Sequence, residues 1–170
     1  PPADRLKLIL VNKRTALHWA AYQGYTETVS GILNCLTAEQ QLQLLFTQDR
    51  GGDTALHDAA WLGDTETVKT LFDSLTPDQQ LKLLFTQDID GDTALHYAAL
   101  QGHAEIVKTL LDNLTPEQQL KILSVQNKEG KTASQEAVVY GRASDIMTTL
   151  KHFQKEADYR VNYRKFAIFS

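Results

Sequence analysis

Thr15-Ala16-Leu17-His18, Thr54-Ala55-Leu56-His57 and Thr93-Ala94-Leu95-His96 are one tetrapeptide written three times at a spacing of 39 residues. A degraded copy, Thr132-Ala133-Ser134-Gln135, follows 39 residues later. Four matches in a fixed register do not arise by chance. A period of this size marks units that cannot bury an apolar face alone and so stack into a solenoid.

Each unit reads as the same series of elements. Thr15, Thr54, Thr93 and Thr132 suit an N-cap, where a hydroxyl accepts from an unpaired backbone N–H. A short helix follows, with Leu17, Ala20 and Ala21 on its inner face. Gly24, Gly63, Gly102 and Gly141 end that helix, where a left-handed residue is expected. A second helix is expected over Thr65–Leu75 and Ala104–Leu114, with Val68, Leu71, Phe72 and Leu75 at helical spacing. Thr76-Pro77-Asp78-Gln79 and Thr115-Pro116-Glu117-Gln118 are capping boxes with proline at the first helical position. Thr37-Ala38-Glu39-Gln40 is the same without the proline. Each predicts a third helix, continuing through Leu81, Leu83, Leu84 and Phe85 in the second unit. A turn rich in Asp and Gly, Asp88–Asp92, closes that unit.

The run from Gly91 to Leu111 (Gly-Asp-Thr-Ala-Leu-His-Tyr-Ala-Ala-Leu-Gln-Gly-His-Ala-Glu-Ile-Val-Lys-Thr-Leu-Leu) closely resembles the ankyrin repeat. The resemblance covers residues 13–153 and departs from the family at two points. Ala16, Ala55 and Ala94 stand where the family usually has proline, and the period is 39 where the family usually has about 33. The extra residues fall in the capped third helix. The expectation is therefore an all-α ankyrin-type solenoid of about four repeats with extra short helices between them. Its units are 13–49, 50–88, 89–127 and a fourth repeat or cap at 128–156.

Pro2–Ile9 matches Pro77–Leu84. Residues 1–12 therefore read as the inserted helix of a preceding repeat, with a linker to Thr15 three residues shorter than the internal ones, and the chain reads as a fragment. In the fourth copy, Gln135 and Glu136 give the polar outer face that a terminal repeat needs. The tail, residues 157–170, leaves the repeat pattern. Packing on the last helices, the start of another domain and disorder are all open for it.

Composition narrows the function. The 170 residues are 42% hydrophobic and 22% charged, with a formal net charge of −4. No general basic field is present to attract nucleic acid. Arg160, Arg164 and Lys165 among tyrosines are a small exception in the tail. No apolar run reaches the roughly 20 residues that span a bilayer. The single cysteine, Cys35, excludes an internal disulfide and fits a reducing, intracellular setting, with the cytoplasm expected. Between Leu33 and Leu36 it reads as a small buried hydrophobe.

Candidate chemistry gives way to structural readings. The resemblance implies that His18, His57 and His96 tie each turn to its neighbour, and that His103 is structural too. Repeats stacked at about 10 Å hold successive histidines too far apart for one zinc. His152 reads as a surface residue. Asp88-Ile89-Asp90-Gly91-Asp92 faintly suggests a calcium loop, but Ala99 stands where the closing Glu is required. Turn chemistry accounts for Asp53, Asp88, Asp90 and Asp92. No phosphate loop, nucleophile elbow or metalloprotease motif occurs. The chain is read as non-enzymatic, without metal or cofactor, and monomeric in isolation.

The resemblance places partner binding on the concave side, formed by turn tips and the exposed face of each first helix. With Leu17, Ala20 and Ala21 inward, the outward set is Trp19, Tyr22 and Gln23. In later units it becomes Asp58, Trp61 and Leu62, then Tyr97, Leu100 and Gln101, then Glu136, Val139 and Tyr140. Arg50, Asp53, Ile89, Asp90, Asp92, Lys128 and Lys131 form a mixed-charge rim. Packing of the aromatics against neighbouring repeats is the competing reading. The function expected is binding of a protein partner. The alternatives are a targeting or regulatory arm of a larger enzyme or host-directed effector, and a structural spacer.

Overall fold

The structure, a computed structural model, describes residues 13–139 and 143–168. The predicted preceding-repeat helix at 1–12, Tyr140 and Gly141 lie outside the described residues. The first unit holds α1 (Ala16–Tyr22), α2 (Thr26–Asn34) and α3 (Ala38–Leu45). The second holds α4 (Ala55–Leu62), α5 (Thr65–Asp73) and α6 (Pro77–Leu84), and the third α7 (Ala94–Gln101), α8 (Ala104–Leu111) and α9 (Pro116–Leu123). The last two helices are α10 (Ala133–Val139) and α11 (Ala143–Ile168).

First helices stack on first helices, α1 on α4 on α7 on α10, and second helices form a parallel row, α2 on α5 on α8. The paired alanines allow the close stacking. Ala20, Ala21, Ala59, Ala60, Ala98 and Ala99 are all buried, with Leu17, Leu56 and Leu95 beside them. Val68, Leu71 and Phe72 of α5 close the second row as their spacing predicts, while α5 and α8 end at Asp73 and Leu111, short of the expected Leu75 and Leu114, and Leu75 is buried just beyond its helix.

Each inserted helix is held by its Gln-Gln pair. The first glutamine (Gln40, Gln79, Gln118) completes the capping box at Thr37, Thr76 or Thr115. The second reaches back to the end of the preceding helix. Nε2 of Gln41, Gln80 and Gln119 donates to the carbonyls of Leu33, Phe72 and Leu111 at 2.7, 2.9 and 3.0 Å. Each of these carbonyls also accepts a backbone N–H, from Leu36, Leu75 and Leu114, so the glutamine adds a second bond at the helix end. Lys82 over the Phe46 ring (5.5 Å) and Lys121 over Phe85 (5.7 Å) link successive inserted helices.

Two features differ from the sequence reading, and a third fills what it left open. Cys35 is exposed. It follows α2, whose buried stripe runs through Val29 and Leu33, and at 100° per residue its position falls well off that stripe. Glu136 is buried, with Oε1 accepting from Asn127 Nδ2 at 3.0 Å, so it does not form a polar outer face. Among the described residues the fourth unit shows no separate inserted helix after α10, only α11. α11 packs on α9, α8 and α10 and continues through the segment from Tyr159 that the sequence left open.

Candidate functional site

The turn tips are built from one repeated device. Oδ1 of Asp49 accepts from the N–H of Gly51 (2.7 Å) and Asp53 (3.1 Å). Oδ1 of Asp88 accepts from Asp90 and Asp92, both at 2.8 Å, and Asn127 does the same for Glu129 and Lys131. Turn chemistry therefore explains Asp88, and it explains Asp49, which the sequence reading did not single out. It does not explain the side chains of Asp53 and Asp92. Asp92 Oδ1 instead accepts from Asn127 Nδ2 at 2.8 Å, one turn further along the stack. The tips are joined directly by Ile89 N–H to the Gly51 carbonyl and Lys128 N–H to the Asp90 carbonyl, both 2.8 Å.

Behind the tips runs the histidine ladder. Nδ1 of His18, His57 and His96 accepts from the backbone N–H of Thr15, Thr54 and Thr93 at 3.2, 3.1 and 3.3 Å. The proton then sits on Nε2, which donates to the carbonyls of Asp53, Asp92 and Lys131 at 2.9, 3.3 and 3.2 Å. Burial lowers all three histidines, His57 to about 4, so they stay neutral. His103 is also structural, donating from Nε2 to the Trp61 carbonyl at 3.2 Å.

In front of this scaffold lies an aromatic row. Trp19 is 44% exposed, Tyr22 38%, Trp61 41% and Leu62 43%, with Ile89 exposed at a tip. Tyr97 is half-buried, edge-on to Trp61 at 5.6 Å, and its hydroxyl donates to Asp88 Oδ2 at 2.7 Å. Leu100 and Gln101 are also half-buried, and Gln23, Arg50 and Asp90 are exposed. The competing reading, packing between repeats, holds for Tyr97 in part and leaves Trp19 and Trp61 open. The side chain of Val139 and all of Tyr140 lie outside the described residues.

Asp58 corrects the expected exposed set. It is 6% exposed and bonds through Oδ1 to Arg14. Arg14 also pairs with Asp49 (3.4 Å) and lies over the rings of Trp19 (5.1 Å) and Tyr22 (5.2 Å). Burial pushes Asp58 up to about 7, outweighing Arg14, and pushes Asp53 up to about 6 with help from Asp49 and Asp88. Sequence reasoning missed Arg14. Its signal was a column, since the residue before each repeat threonine is charged: Arg14, Asp53, Asp92 and Lys131.

This assembly of capped first helix, threonine–histidine box and tip-to-tip bonding recurs through three units. A family model for ankyrin repeats, described as three copies, matches residues 3–83 and 77–163. The chain belongs to the ankyrin-repeat family. No curated protein matches it. Ankyrin repeats are in general protein–protein interaction modules and typically carry no catalysis. Within the ankyrin stack, no group of three or more His, Cys, Asp or Glu among the described residues is arranged to hold a metal ion. No helix of the described residues is long and apolar enough to cross a membrane.

Proposed function

We propose that this chain is a non-catalytic binding module that engages a partner protein through the concave face of its ankyrin stack. The observation that carries this is the aromatic row on the first helices. Trp19, Tyr22, Trp61 and Leu62 keep roughly two-fifths of their surface in water. Large apolar groups held open side by side mark interaction surfaces, and Trp and Tyr dominate binding hot spots. The row stands on a scaffold of buried alanines and a hydrogen-bonded histidine ladder, so it is preordered and loses little entropy on binding. A partner covering about 800 Å² of this side makes a standard interface. Arg50, Ile89 and Asp90 at the tips, with Gln23, Tyr97, Leu100 and Gln101 on the helices, complete the proposed surface.

The test is capture of a partner from cell lysate by the whole chain and by Trp61→Ala/Leu62→Ala, with folding of both followed by circular dichroism. The surface reading expects a protein held by the first and lost by the second. Equal capture by both moves binding to the inserted helices or α11. Capture by neither favours a spacer.

A further inference from the structure

The aromatic row is interrupted by a cleft with an acidic floor. The cleft has a volume of about 310 Å³ and is lined by Arg14, Tyr22, Asp53, Asp58, Trp61 and Tyr97. Two carboxylate oxygens there, Asp53 Oδ1 and Asp58 Oδ2, are buried without a hydrogen-bond partner among the described residues, and so is one donor, Arg14 Nε. Buried polar atoms in folded proteins are nearly always paired. Carboxylate oxygens accept only, so the missing partners are donors.

We propose that this cleft takes a positively charged side chain, arginine or lysine, from an extended segment of the partner protein. The proposal rests on the surface reading above and adds the chemistry of what that surface recognises.

Charge carries the argument first. Asp49, Asp53, Asp58 and Asp88 gather around the cleft, and Arg14 is the one cation among its lining residues. Burial and mutual repulsion already push Asp53 and Asp58 toward protonation, which is the behaviour of a site short of positive charge. An anionic group would meet repulsion here. An apolar one would leave both oxygens unpaired.

Geometry supplies the second part. Trp61 is half open to solvent and stands edge-on to Tyr97, with Tyr22 across the cleft. Aromatic faces beside a carboxylate suit a cation, which is attracted by both the ring quadrupole and the charge. The chain already uses this combination once. Arg14 lies over Trp19 and Tyr22 while bonding Asp58 Oδ1. The second cation would stand among the rings, over the negative charge of Asp58 and Asp53, whose unpaired oxygens lie just beneath the cleft surface.

The neighbouring cleft gives a contrast. Around Asp92, Asn127, Lys131 and Glu136 the acids are balanced from within. Asn127 donates to both Asp92 and Glu136, and Lys131 Nζ stands 3.5 Å from Glu136. The unpaired acceptors therefore localise the cation site to the cleft of Asp53 and Asp58.

The experiment is selection of a displayed library of short random peptides against the whole chain. Synthesised binders are then measured against the wild type, Asp53→Asn and Trp61→Ala/Leu62→Ala. Oδ1 of Asp53 holds no hydrogen bond among the described residues, and the amide oxygen of Asp53→Asn can still accept from the Tyr97 hydroxyl beside it, so the scaffold is kept, which circular dichroism verifies. The expected result is binders sharing an Arg or Lys. Changing that residue to Gln weakens binding by about tenfold or more, and Asp53→Asn does the same. Binders lost on Trp61→Ala/Leu62→Ala but indifferent to the basic residue and to Asp53→Asn would overturn the cation site and leave the surface reading standing. Binders indifferent to Trp61→Ala/Leu62→Ala would overturn the surface reading itself. A library yielding no binder would overturn the cation site.

Discussion

His103 of the third unit is seated directly on Gly63 of the second: a Cβ added at Gly63 would stand 2.5 Å from Cε1 of the ring and 2.6 Å from Nε2. Gly63 is also left-handed, with φ +89°, as the helix-ending role read from the sequence requires. The contact reaches the candidate site, because the same ring holds the carbonyl of Trp61. Gly63→Ala should therefore cost about 2–3 kcal/mol, of which the backbone alone accounts for about 1. Gly130 provides the control. It is left-handed too, at φ +75°, with open space where a Cβ would go, so Gly130→Ala should show the backbone part alone. Urea unfolding of both variants measures the difference. Equal losses would mean that the His103 contact contributes nothing.

The histidine ladder and the acidic cleft should push stability in opposite directions with pH. His57 has its folded pKa lowered to about 4 from 6.5, so the unfolded chain binds more protons between these values. Stability from His57 is full above pH 6.5 and is lost as pH falls toward 4, by on the order of 3 kcal/mol. Asp53 has its folded pKa raised to about 6 from 3.8 by burial, Asp49 and Asp88, against Tyr97 and Arg14. Its contribution is full below 3.8 and is lost as pH rises through 6. Wild type should thus show a shallow profile between pH 4 and 6.5. Asp53→Asn should gain about 1 kcal/mol at pH 8, a figure discounted for solvent screening, and should lose stability more steeply on acidification. Chemical denaturation across this range reads both. A profile unchanged by Asp53→Asn would show that its carboxylate is not strained in the fold.

How far the sequence reached is clearest in the Gln-Gln pairs. The role of Gln79 was legible because a capping box is local, confined to four residues. The role of Gln80 was not, since its partner is the Phe72 carbonyl eight residues back, across a corner whose angle only packing decides. The stack, the helix-ending glycines and the histidine rungs followed from the 39-residue register, because neighbouring repeats meet at equal positions. Asp58 was misplaced for the same reason. The register puts it level with exposed Trp19, but its short side chain folds onto Arg14 of the preceding tip. That meeting depends on the rotation between repeats, which spacing does not encode.

Mutating either glutamine should loosen only the inserted helix. Gln80→Ala removes the second bond to the Phe72 carbonyl, which keeps the Leu75 N–H, and should cost about 0.5–1.5 kcal/mol. Gln79→Ala removes an exposed half of a capping box and should cost about 0.5–1 kcal/mol. Both losses should appear in native-state hydrogen exchange as faster exchange over Pro77–Leu84, with the first helices protected as before. Loss of protection in α4 or α7 would mean that the inserted helices are integral to the stack and not appended to it.

Arg14 should be worth more to stability than its position at the edge of the described stack suggests. Removing it leaves Asp58, 6% exposed, with neither oxygen paired. Arg14→Met keeps the stem over Trp19 and Tyr22 and removes the charge. At pH 8 it should cost about 1–3 kcal/mol. The deficit should shrink as pH falls, because Asp58, already pushed up to about 7 in the wild type, protonates more readily once Arg14 is gone. Arg14→Met/Asp58→Leu replaces the pair with apolar groups and should recover most of the loss, as replacement of buried ion pairs often does. Thermal unfolding of the two single variants and the double variant at pH 6 and 8 gives the coupling directly. Additive losses would show that the two residues touch without depending on each other. A deficit independent of pH would show that the loss comes from packing on the aromatic rings and not from the carboxylate.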